Sequence, residues 1–158
     1  MTFLRSLIFF ILQISSLGLW GILVVILGPF LNTAKQYKFT MLWPKINIVG
    51  AQYILGIKYK IIGIENLNNS ILENRIICSN HQSTWETFFF ASCLPKPICF
   101  IFKKELLYIP FFGWGIFLLD MIHIDRKSGK NALENIIEKV SHQQKLGRWF
   151  TFFPEGTR

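Results

Sequence analysis

Hydrophobic and polar positions divide the chain into two patterns. From Leu7 to Leu31, "LIFFILQISSLGLWGILVVILGPFL", no residue is charged, and the nearest charges are Arg5 and Lys35. About 20 apolar residues suffice to cross a bilayer, so the pattern predicts a membrane helix. The run is too long for a secretory signal and lacks its small-residue cleavage site. Gly28-Pro29 marks a possible turn into a second, interfacial helix. Residues 36–57 are mixed, and Trp43 with the nearby lysines reads as a set of interfacial anchors.

After residue 57 the pattern shortens and alternates. "KYKIIGI" (58–64), "RIICS" (75–79), "ICFIF" (98–102), "MIHID" (121–125) and "WFTFF" (149–153) have strand length and composition. Between them, "WETFFFASC" (85–93) predicts a helix opening near Ser83. Residues 104–119 contain Pro110, Gly113 and Gly115 and predict a broken helix. Residues 131–147 carry Ala132, Leu133, Ile136, Ile137 and Val140 on one face, with Asn131 as a candidate N-cap and Gly147 as a stop. Strands alternating with helices predict an α/β domain with a largely parallel sheet. The expected division is a membrane-anchoring segment over 1–57 and an α/β domain over 58–158.

Such sheets place their sites at the carboxyl ends of strands. Three polar sets fall there: Asn80-His81 after the second strand, Asp125-Arg126 after the fourth, and Pro154 to Arg158 after the fifth. Parallel strands would bring all three to one rim. His81 there can act as a base toward a hydroxyl. Five positions on, Glu86 permits two readings. It can fold back to the imidazole and fix its tautomer, as acids do in acyl-transfer sites. Alternatively, Ser83-Thr84-Trp85-Glu86 is a capping box in which the acid serves the helix. Arg126, Lys127 and Arg158 suit phosphate. Glu155 suits a substrate hydroxyl or an arginine, and Gly156 a close backbone approach.

Charge and composition support an anionic, apolar partner. Lys and Arg number 17 against 9 Asp and Glu, giving +8, and there are 16 Phe. The basic residues are not in runs, which disfavours nucleic acid and favours phosphate-bearing lipids or an anionic membrane face. The excess of lysines after the apolar run puts the remainder of the chain on the cytoplasmic side. Three cysteines without a C-x-x-C pair indicate free thiols in a reducing compartment. His81, His123 and His142 lack metal-ligand spacing, so no metal is expected.

Taken together and in this order, "NHQSTWE", "IHIDR" and "FPEGTR", with "IIGIENL" ahead of them, resemble the glycerolipid acyltransferases over residues 40–158. The resemblance implies transfer of an acyl group from acyl-CoA or acyl carrier protein to lysophosphatidate, in contact with membrane lipids and without a cofactor. It makes His81 the base and Glu86 its partner, where the family usually has Asp. It assigns Arg126, Glu155, Gly156, Thr157 and Arg158 to the substrate. A family motif expected downstream of Arg158 implies that the domain is cut short at its C-terminus. The alternatives are another acceptor, such as a lyso-ornithine lipid or a lysophospholipid, and a non-catalytic lipid-binding scaffold.

Overall fold

Asn32 is where the apolar N-terminal segment turns back. The computed structural model describes residues 2–68, 74–124 and 130–155, with backbone alone at 68 and 130–135. Its first helix, α1 (Thr2–Leu27), runs through the uncharged stretch and into a short turn, Gly28–Phe30, with Pro29 at its start. Together they are long and apolar enough to cross a membrane. The Asn32 side chain then accepts from the Lys35 amide at 2.9 Å and caps α2 (Thr33–Gly50). Pairs of contacts running in opposite senses show that the two helices are antiparallel. Trp20 meets Phe39 at 4.9 Å between ring centres, Trp43 Nε1 donates to Ser16 Oγ at 3.1 Å, and Gly50 faces Phe9. The wide π turn Ala51–Leu55 follows and ends at Gly56, whose φ of 73° needs no Cβ penalty.

Among the described residues the sheet has four strands in the order β1-β4-β2-β3, with β1 Ile76–Cys78, β2 Ile98–Lys103, β3 Ile122–Ile124 and β4 Trp149–Phe152. All three pairings are parallel, in register Ile76↔Phe150, Ile98↔Trp149 and Ile101↔Ile122. The expected α/β fold with a parallel sheet is therefore present. Parallel strands need crossovers, and helices supply them: α4 (Trp85–Cys93), α5 (Phe112–Leu118) and α6 (Lys130–Lys145). A single turn, α3 (Glu65–Asn68), precedes β1. The core is built on the central strands, where Ile98, Cys99, Phe100, Trp149 and Phe150 are buried with Leu119, Met121 and Ile122. Tyr37 of α2 joins this core, and its hydroxyl accepts from the Ile98 amide at 2.8 Å. Packing thus runs across residue 57.

Three expectations need correction. Residues 58–64 form no strand: the segment has no regular structure, and Tyr59 packs its ring on Trp85 and Phe89 of α4 instead of joining a ladder. Ile62 is left 82% exposed and Gly63, at φ 82°, turns the chain into α3. Trp43 is no interfacial anchor. It is 6% exposed, bonded to Ser16 and set edge-on against Phe88, so it joins α1, α2 and α4. Asn131 lies one residue inside α6, which opens at Lys130, so it does not stand at the cap position.

The broken helix over 104–119 is present as a 3-10 turn, Lys104–Tyr108, and then α5. The break is at Phe111, whose φ of 64° is rare for a residue with a bulky side chain. Phe111 sits in a notch on α1. A methyl group at Gly21 would stand 2.5 Å from the Phe111 Cβ, and one at Gly18 would be 3.9 Å from its ring. Tertiary contact with α1 thus holds the strained turn in place.

Candidate active site

The rim formed by the carboxyl ends of β1 and β4 carries a histidine held on three sides. When β1 ends at Cys78, the chain has six residues before α4 in which to turn. His81 lies midway. Its Nδ1 is 3.2 Å from Glu86 Oε1, and both side chains are partly buried, at 19% and 16% exposure. One face of the imidazole stacks on Phe153, 4.0 Å between centres at 19°. Its backbone N–H donates to Glu155 Oε2 at 2.8 Å.

Glu86 touches both partners the sequence left open. Its Oε1 accepts from the amides of Gln82 (2.6 Å) and Ser83 (2.8 Å) as well as facing His81, and Oε2 accepts from Ser83 Oγ at 2.6 Å. The Glu half of the capping box is therefore present. The Ser half is shifted by one residue: Ser83 Oγ accepts from the Trp85 amide at 3.1 Å, while Thr84 occupies the cap position without a side-chain cap. Burial pushes the Glu86 carboxyl up. Hydrogen bonds from the Ser83 hydroxyl and amide, the Glu86 amide and the Gln82 amide outweigh it and hold the group at about 2. Glu86 is thus an anion that only accepts. A neutral His81 must then present Nδ1–H to it, leaving Nε2 with its lone pair.

An aromatic series leads away from the imidazole. Phe153 stacks on Phe90 at 6.5 Å, Phe90 meets Phe89 at 6.2 Å, and Phe89 stacks on Trp85 at 4.8 Å. Such a wall lowers the local dielectric and strengthens the charges at the rim. Phe153 escaped the sequence reading, although it sits inside "FPEGTR"; stacking on His81 depends on the β1–β4 pairing. Arg126, Lys127, Gly156, Thr157 and Arg158 lie outside the described residues. Among the described residues, Glu155 meets the backbone of His81. No group of three or more His, Cys, Asp or Glu among them converges as metal ligands would.

A base with an anionic partner, on a carboxyl rim beside an apolar wall, is equipped to deprotonate a hydroxyl. Comparison with known proteins gives this a context. The sequence profile of the family described as Acyltransferase matches residues 58–158. A 1-acyl-sn-glycerol-3-phosphate acyltransferase of Pseudomonas aeruginosa is 38% identical over 98% of this chain and 59% of its own length. One from Saccharomyces cerevisiae is 29% identical over 99% of this chain and 50% of its own. The crystal structure of the 1-acyl-sn-glycerophosphate (LPA) acyltransferase PlsC from Thermotoga maritima superposes with a TM-score of 0.73 at 25% identity, covering 99% of this chain and 61% of that one. The chain thus spans between half and about three-fifths of the length of these relatives.

Proposed function

Since the chain belongs to the acyltransferase family, we propose that it moves a fatty acyl group from a thioester to the sn-2 hydroxyl of 1-acyl-sn-glycerol-3-phosphate, forming phosphatidate. The donor is acyl-CoA or acyl carrier protein. The observation that carries the reading is the 3.2 Å pair between His81 Nδ1 and Glu86 Oε1. It leaves Nε2 as the base.

In the proposed step, Nε2 takes the hydroxyl proton as the oxygen bonds to the thioester carbonyl carbon. Glu86 steadies the imidazolium that forms. The tetrahedral intermediate collapses with loss of the C–S bond, and the departing thiolate takes the proton back from His81. Arg126 and Arg158 are assigned to the acceptor's phosphate, with Gly156 and Thr157 shaping the loop around it. Residues 1–57 serve as the anchor and residues 58–158 as the acyltransferase unit. The apolar helix α1 supports a membrane location, and the lysines after it support a domain on the cytoplasmic face.

The test is acyl transfer by the whole protein in detergent, with lysophosphatidate, a lyso-ornithine lipid and lysophosphatidylcholine as parallel acceptors. Lysophosphatidate should be preferred. His81→Ala should lower turnover by about two to four powers of ten. Near-normal turnover in that variant would overturn the mechanism, and preference for a phosphate-free acceptor would overturn the substrate.

A further inference from the structure

The loop that carries His81 has lost the support of the sheet. Past Cys78 the β1–β4 ladder ends, and the last contact is a long one, from the Ser79 amide to the Phe152 carbonyl at 3.5 Å. Two residues on, the amide of His81 needs an acceptor that no strand supplies. Glu155 supplies it, 74 positions later in the chain, at 2.8 Å. The same outgoing end of β4 sends Phe153 against the imidazole face. One segment therefore holds the base at its backbone and at its ring. Glu86 fixes the remaining freedom, rotation of the ring in its plane.

We propose that Glu155 is a positioning residue for His81, acting through the His81 peptide N–H and not through a substrate hydroxyl or an arginine. This rests on the reading of His81 as the base. It departs from what sequence alone suggests for an acid between Pro154 and Gly156. A carboxylate that binds substrate would govern how well the acceptor binds. One that holds the backbone of the base governs how often the base is aligned, and a displacement of about 1 Å at a reacting group can cost about a hundredfold in rate.

The two roles predict different kinetics. Glu155→Ala in the whole protein should lower kcat about a hundredfold with the KM for 1-oleoyl lysophosphatidate unchanged. Glu155→Gln keeps an oxygen that can accept the same N–H, so it should stay within about tenfold of wild type, since a neutral acceptor is weaker than a charged one. Hydrogen exchange at the His81 amide reads the contact without activity. It should be protected in wild type and in Glu155→Gln, and lose protection in Glu155→Ala. A KM rise for lysophosphatidate with kcat preserved in either variant would overturn the proposal. So would a His81 amide whose exchange ignores residue 155. If wild type transfers no acyl group to any acceptor, the acyltransfer reading fails while the exchange result still decides the contact. If Glu155→Ala does not fold, the Gln variant decides alone: a loss within about tenfold with a protected His81 amide supports the proposal, and a hundredfold loss there overturns it.

Discussion

The sheet has a polar cluster at each end, and they are built to opposite rules. At the carboxyl rim, His81 is held by Glu86, Phe153 and Glu155 but keeps Nε2 uncommitted by these contacts. At the other rim, Arg148 lies just before β4 and is 3% exposed. Its Nη1 donates to the Leu119 carbonyl at 2.6 Å and to Gln143 Oε1 at 2.8 Å, and its guanidinium lies 5.3 Å above the Tyr37 ring. Gln143, 1% exposed, donates onward to the Asp120 carbonyl and carboxylate. Burial pushes the Tyr37 hydroxyl up to about 12, against the Ile98 hydrogen bond and the Arg148 charge, so it stays neutral. The lesson lies in the spare valence. A fully satisfied buried network fixes where elements meet. A site that does chemistry must leave one group incompletely paired and hold it still by its other atoms.

If that contrast is right, the two rims should fail in different ways. The largest effect is expected at the structural end. Arg148→Met leaves the Leu119 carbonyl and Gln143 Oε1 without donors and should cost about 3 kcal/mol in urea unfolding, while the folded fraction keeps its turnover. A variant as stable as wild type would remove the distinction. Next, Glu86→Gln should lower turnover about tenfold or more, through lost stabilisation of the imidazolium, yet leave α4 intact, because Gln also serves a capping box. Equal losses of helix and activity would show that the two jobs of Glu86 are inseparable.

Acid should reveal a smaller effect at the same residue. The folded carboxyl sits at about 2 against an ordinary 4.5. A depressed carboxyl contributes stability that is fully present above about pH 4.5 and is lost as pH falls toward 2. The gap in melting temperature between wild type and Glu86→Gln should therefore close across that window, and a constant gap would contradict it. The smallest change belongs to neither rim. Trp43→Phe removes the bond to Ser16 and trims the buried ring, and should cost about 1–2 kcal/mol, with turnover unaffected; a larger loss in thermal unfolding would give the α1–α2 contact a greater part in the fold.

What could be read beforehand follows the range of each interaction. The alternation from Arg75 to Phe153 was legible because period and turn residues act locally, and His81 with Glu86 was legible because five positions fit one turn. Residues 58–64 misled because a short apolar alternation satisfies an aromatic face as well as a ladder, and Tyr59 found α4. Trp43 misled because an aromatic near lysines suits a lipid boundary and a helix contact equally; only Ser16 and Phe88 decide. Glu155 was visible as a polar position after the last strand, but its partner depends on β1 pairing with β4. The burial of Arg148 had no local sign at all.

Phe111, wedged against Gly21 of α1, has a mechanical meaning. A helix joined to its domain by a slack linker is a leash: the domain tumbles, and every encounter with lipid happens at a new angle. The contact at Gly21, together with the Trp43 bond to Ser16, makes α1 a strut. Braced in this way, the strut fixes the heading of the β1–β4 rim, and of His81 upon it, relative to the axis of α1.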